Sequence, residues 1–286
     1  MKYPASWAML ALLSFLTFCY SSPVLRDSYG NIRFGELRNQ APLEGSFSQL
    51  WINHNTAPGG DDDGQLDSWP SLPSWETTHL LARRLLALST TGVLSTVFQD
   101  DGSSSSDLAG VPVALPDYIA DCSNDKDSPL SSLLGPGNPL ILALNIGTTF
   151  RNAKAGSNVS LSLDWWHHHT SDNARDELSG SLAGLPRLSL IGTLEPLPVT
   201  LPDNIRRSLE SCFLAAHPDA VYWLPGHPDA AHSGYWARLV VHRALWIGGF
   251  GDRARIGWLN VDTWRNMTKK GKEGKRGWED VKLPGE

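Results

Sequence analysis

Between residues 90 and 260 the chain repeats one local theme: a short run of β-branched and other apolar residues, closed by glycine, proline or small polar residues. "TTGVLSTVF" (90–98) ends at the turn-rich "QDDGSSSSD", and "LAGVPVALPDYIADC" resumes extended structure. "NPLILALNI" (138–146), "NVSLSLDWW", "PRLSLIGTLEPL" (186–197), "YWARLVVHRALWIGGF" and "RARIGWLN" follow. Runs of this length and composition predict strands. The unbroken apolar character of the third marks it as buried, the alternation of the fourth as half-buried, and Pro112 and Pro116 place the second at an edge or a bulge. Only two long helical patterns interrupt the series. "SWETTHLLARRLLALS" offers Ser74 as cap and Leu80, Leu81, Arg84, Leu85 and Leu88 as a stripe with one cationic break. "PDNIRRSLESCFLAAHP" has Asp203 at the N-cap, Ile205, Leu209, Cys212 and Phe213 on one face, and Pro218 as its stop. Six or more strands with helices outside the strand runs predict a mainly β, α+β chain: an antiparallel barrel with peripheral helices. There is no parallel βαβ rhythm and no dinucleotide-binding glycine fingerprint.

The two ends are different material. Lys2 precedes the uncharged run "WAMLALLSFLTFCY" (7–20) and the small residues Ser21 and Ser22, the pattern of a secretory signal peptide over 1–21. The run is shorter than the roughly 20 residues that a bilayer span needs. Residues 22–70 contain "APGGDDDGQ" and no periodic apolar pattern, which predicts a flexible arm. The domain then covers 71–264, and 265–286 is a basic tail. Residues 269–276 hold five positive charges and one negative, which reads as a solvated tail, with contact to a polyanion or a membrane surface as the second reading.

Entry into the secretory pathway, to an extracellular or vacuolar destination, changes what other residues mean. Cys19 leaves with the signal, so Cys122 and Cys212 remain, either as one disulfide or as two buried thiols. Asn158-Val159-Ser160 and Asn266-Met267-Thr268 become glycan acceptors. With 24 basic and 30 acidic residues the net charge is −6, which excludes general nucleic-acid binding.

The order of "TTGVLSTVF", "LAGVPVALPDYIAD", "LALNIGTTFRNAKAGSNVSLSL", "PRLSLIGTLEPL" and "HPDAVYWLPG…ARLVVHRALWIGGFG" resembles the FMN-binding split-barrel superfamily. More narrowly it is similar to the CREG-like branch of secreted glycoproteins, related to pyridoxamine 5'-phosphate oxidases. The resemblance covers about Ser74 to Trp264 and implies a split β-barrel. It also implies a homodimer, since these barrels pair two subunits across the site. In the family a helix ends in a His-Pro pair followed by an aromatic residue and a glycine-bearing strand pair, places taken here by His217, Pro218, Trp223 and "IGGFG". The second His-Pro-Asp-Ala copy, from His227, then falls in a loop, and a metal cage built on the repeat is the minor reading. Three consecutive histidines at 167–169 cannot all reach one ion from a strand, because neighbouring side chains point to opposite faces. They read as a solvent-facing strand end.

In flavin-binding relatives the Thr-x-Arg-Asn segment sits at the cofactor phosphate. Here it is Thr149, Phe150, Arg151 and Asn152, with Ser95 and Thr96 as neighbours on the adjacent strand. A guanidinium fork gives two parallel hydrogen bonds to phosphate oxygens. The resemblance to CREG-type chains implies instead a barrel that has kept the fold and lost the flavin, with "SNDKDSPLSSLLGPGN" as an obstructing loop. No second cation stands beside "GVLST". Two functions follow: a non-catalytic glycoprotein that acts through protein or glycan contacts, with no cofactor, or an FMN-dependent oxidoreductase. Heme binding through a histidine such as His242 is the third. No nucleophile elbow precedes a helix, which excludes that class of hydrolase.

Overall fold

One strand organises the barrel. In the computed structural model, which describes residues 72–100, 106–124, 128–168, 182–251, 254–271 and 274–286, strand β6 runs from Gly234 to Gly248 and serves two partners on one edge. Its first third pairs with β3 (Leu140–Leu144), and its last third with β7 (Arg255–Leu259). Along its other edge lies β5 (Arg187–Pro196). From β5 the sheet continues through β4 (Val159–Asp164), β1 (Thr91–Val97) and β2 (Pro112–Ala120) back to β3. The β3–β6 pairing closes a six-stranded antiparallel barrel, and β7 extends it on the outside. The seven strand segments expected from sequence are all present. The signal peptide, the arm and His169 lie outside the described residues.

Alternation explains which side of each strand is buried. Leu94, Leu161, Leu163, Leu188, Leu190, Leu239 and Trp246 fill the interior, while Val93, Ser162 and Arg243 face outward. The 3.4 Å pleat turns successive side chains to opposite faces, so one register slip would exchange the two sets. The register itself shifts between Ile191 and Gly192, opposite His242. A Cβ at Gly192 would run into the Val240 carbonyl, so only glycine lets the strands approach there.

Helix α1 (Trp75–Leu88) begins as expected, with the Ser74 hydroxyl accepting the Thr77 amide at 3.1 Å. Its buried face keeps Leu80 and Leu85 of the expected stripe and departs from the rest. Thr78, His79, Leu80, Ala82, Arg83, Leu85 and Leu86 are buried, and Leu88 is exposed. The buried cation is Arg83, paired with Asp121 at 3.1 Å, while Arg84 reaches sideways to Glu286. Helix α4 (Asp203–Ala216) starts one residue earlier than expected: Pro202 is the cap, and Asp203 pairs with Arg206 inside the first turn. Leu209 and Phe213 of α4 pack outside the barrel on Leu140, Leu142 and Trp236, together with Leu130 and Leu134 of α2 (Pro129–Leu134). Cys122 and Cys212 form a disulfide that fastens this layer to the end of β2.

The segment after α5 (Val261–Asn266) corrects the expectation of a solvated tail and a domain ending at 264. Trp278 and Val281 are buried against Leu80, and Leu283 enters the main core. The Trp165 indole donates to the Pro284 carbonyl at 2.8 Å. Three apolar residues within six positions are too few to produce a periodic signal, yet they suffice to cover one face of α1.

Two outcomes are expected. The disulfide closes a loop of 90 residues, so Cys212→Ser should cost about 3 to 4 kcal/mol by chemical denaturation under oxidising conditions. The hydrogen bond from Arg84 holds the Glu286 carboxyl below its ordinary value. A depressed carboxylate stabilises the fold above its unfolded pKa, and that contribution is lost as pH falls through the folded value. Amide protection factors around Trp278, corrected for the intrinsic exchange rate, should therefore fall in acid, and Glu286→Gln should show the lower protection already at neutral pH.

Candidate functional site

Helix α3 (Thr148–Lys154) follows β3 directly and lies across β1. Its inward residues are consumed by the fold. Thr149, Phe150 and Asn152 are buried, and the Asn152 amide donates to the Thr96 hydroxyl at 3.1 Å. Just beyond, the Ser157 hydroxyl accepts the Val97 amide at 2.9 Å and donates to the Asn158 carbonyl at 2.7 Å. The end of β1 is thereby tied to both ends of the α3–β4 connection.

The five residues expected at a phosphate are therefore not brought to one surface. Thr96 and Asn152 meet each other inside, and Thr149 is buried beside them. Ser95, one position from Thr96, looks out from the opposite face of β1, in register with Ser160. Only Arg151 is exposed on the α3 side. It borders a groove of about 380 Å³ with Asn145, Phe150, Lys154 and Tyr235. Neither Arg151 nor Lys154 has a carboxylate partner among the described residues, while Asn145 donates to the Ser233 hydroxyl at 2.9 Å. Burial pushes the Tyr235 hydroxyl above its ordinary pKa, so it stays a neutral donor there. Lys154, one helical turn from Arg151 and readable as an i, i+3 pair in "FRNAK", is a second exposed cation at this groove. Asn145, at the start of "NIGTTFRN", comes from the end of β3, and Tyr235 comes from β6 and carried no local signal. The loop expected to obstruct the site packs elsewhere: α2 sits on α4, and Asn138 holds the Leu134 carbonyl and the Val241 amide.

The His-Pro-Asp-Ala copies have different places. His217 is buried, its Nε2 2.9 Å from the Ile119 carbonyl and its ring stacked on Tyr118 at 4.2 Å. Asp219 accepts the Tyr118 hydroxyl at 2.7 Å, and its carbonyl accepts the Trp223 indole at 2.7 Å. His227 accepts the Asp229 amide, closing a local turn, and meets the Tyr222 ring edge-on at 6.4 Å. Trp166–His168 form a short 3-10 turn, not a strand end, with His168 stacked on Trp165. No three His, Cys, Asp or Glu side chains converge as a metal site among the described residues. His242 stands exposed at the bulge, 3.1 Å from the Thr193 hydroxyl.

Residues 73–266 match the family described as CREG, beta-barrel. The chain belongs to that family. No curated protein sequence matches it. Among solved structures this CREG-family chain is similar to a heme binding protein from Mycobacterium smegmatis, at 18% identity and a TM-score of 0.45 over 69% of the chain. It spans only 62% of that protein's length. A protein of the pyridoxinephosphate oxidase family from Clostridium acetobutylicum aligns at 14% identity and a TM-score of 0.38, over 66% of this chain and 98% of that one. An FAD-binding protein from Mesorhizobium loti aligns at 15% and 0.36, over 57% and 87%.

The opposed faces of β1 make a direct test. Thr96→Val leaves the buried Asn152 amide without its acceptor and should cost about 1 to 3 kcal/mol in urea denaturation. Ser95→Ala, one residue away, should stay within about 0.5 kcal/mol.

Proposed function

We propose that this CREG-family chain is a non-catalytic glycoprotein of the secretory pathway, extracellular or vacuolar, that acts through binding. The observation that carries the reading is the Asn152–Thr96 hydrogen bond, which turns two of the expected flavin ligands into the protein's own core. A phosphate cradle needs its donors converging on one point. Here one exposed guanidinium remains of five residues, so the set does not fit FMN as one site. Asn158 and Asn266, the two sequon asparagines, are both exposed, as glycan attachment requires.

The chain acts as a homodimer in this reading. Val93, Ser95, Ser160, Ser189, Ile191 and Trp258 share the outer face of adjacent strands and are half-buried or exposed. A broad face of small and apolar side chains with few charges is suited to association. The second reading, an FMN-dependent oxidoreductase, draws on the Arg151–Lys154 groove alone. Flavin would supply the redox chemistry, and Arg151 would hold its phosphate.

Protein purified without added cofactor should show neither a flavin nor a Soret band, and should scatter light as a dimer. FMN fluorescence titration should show no saturable binding. Glycosidase treatment should increase its gel mobility. Saturable FMN binding that Arg151→Ala abolishes would reverse the order of the two readings, and a Soret band would bring heme forward. A monomer would remove the interface.

A further inference from the structure

The sequon at Asn158 opens onto the outer face of the barrel. Ser157, Val159 and Leu161 are buried, whereas Asn158 and Ser162 are exposed and Ser160 is half-buried. Alternation along extended chain therefore sets Asn158 on the side of Ser160. The Ser160 hydroxyl lies 3.2 Å from that of Ser189, and Ser160 is in register with Ser95 on one side and Ile191 on the other. At the end of β1 the Val97 amide donates to the Ser157 hydroxyl at 2.9 Å, which brings exposed Val97 up beside Asn158.

Size sets a glycan here against a second subunit. Two residues along a strand span about 7 Å, so Asn158 stands roughly that far from Ser160. A specific interface covers about 800 Å² of each partner, a disc roughly 16 Å in radius. Centred on the Ser160–Ile191 pair, such a disc takes in Asn158. A bulky, hydrated glycan rooted there fills the space of a second copy. Burying its hydroxyls against Val93 or Ile191 would leave them without partners.

The glycan also comes first. Val159 is buried and Ser160 is set against Ser189, so the triplet is an open acceptor only before β4 is enclosed between β1 and β5. Asn266 differs, because it ends α5, a helix whose Trp264 packs beneath Arg83 of α1. A glycan there starts from an element outside the row of Ser95, Ser160 and Ser189.

We propose that a glycan on Asn158 guards the association face. A chain that carries it is monomeric, and the homodimer is the form bare at Asn158, with Asn266 free to carry its own glycan. The inference rests on the homodimer reading above and adds its regulation.

The full-length chain, secreted from a eukaryotic host, is resolved by size-exclusion chromatography with light scattering, and each fraction is mapped by peptide mass spectrometry. Wild type should divide into a dimer bare at Asn158 and a monomer glycosylated there. Asn158→Gln should give the dimer alone, a doubling of the monomer's scattering mass, with an unchanged melting temperature. Asn266→Gln should leave the division between the two forms as it was. The unaltered sequence, made in a host that adds no N-glycans, should be dimeric throughout. If Asn158→Gln loses its melting transition, that unglycosylated chain decides. A dimer with both Asn158 residues glycosylated overturns the proposal and leaves the homodimer standing, as does a wild type that is dimeric and bare at Asn158 throughout. Folded chains that lack the Asn158 glycan and stay monomeric overturn the proposal together with the homodimer reading.

Discussion

The fold converges on one buried ion pair. The side chains of Arg83 and Asp121 are 1% and 0% exposed and lie 3.1 Å apart. Arg83 also donates to Asn124 at 3.0 Å and lies over the Trp264 ring at 4.9 Å. Trp264 in turn donates to the Gly137 carbonyl at 3.2 Å. Helix α1, the end of β2, the loop carrying α2, and α5 therefore meet at a single charge. Beside Asp121, Cys122 extends the junction through its disulfide to α4. Such a pair adds little over an apolar contact of the same shape, but losing one partner strands a charge, at about 3 to 5 kcal/mol. The Arg83 Nε and NH1 have no hydrogen-bond partner. The Trp264 face is the group set against this cation, which makes the tryptophan part of the electrostatics as well as of the packing.

Around that junction the period-2 geometry of the strands decides the chemistry. Ser95 and Thr96 are adjacent in sequence and belong to opposite sides of the barrel wall. Thr96 is drawn inward to Asn152, and Ser95 outward into the row with Ser160 and Ser189. The groove at Arg151 and the outer face are therefore separate surfaces. A site assembled from all five expected residues would need the β1 wall to be transparent.

Much of the fold was legible because strands advertise themselves locally. All seven runs were readable from composition and punctuation, and the two main helices from their apolar periodicity, α1 also from its Ser74 cap. The errors came where two adjacent residues competed for one role. Arg83 and Arg84 satisfy nearly the same helical pattern, and the choice between them depends on where Asp121 and Glu286 arrive. The site was legible in part: Arg151 was marked by its motif, whereas Lys154, one turn on, was not singled out. Tyr235 was silent, because its relation to Arg151 exists only after β3 pairs with β6.

The sequence by itself determined the barrel class, the alternation of inward and outward residues, the sequons and the candidacy of the two cysteines. These rest on local periodicity and short motifs, which no distant contact can rewrite. Tertiary structure alone decided that Cys122 and Cys212 are paired, that Arg83 is the buried cation, and that Asn152 is core. It alone also folded the basic segment back onto α1. Each of these depends on partners that lie far apart in the chain and become neighbours only when the barrel closes. A buried charge, a hydroxyl acceptor or an apolar anchor has no meaning until its partner's position is set.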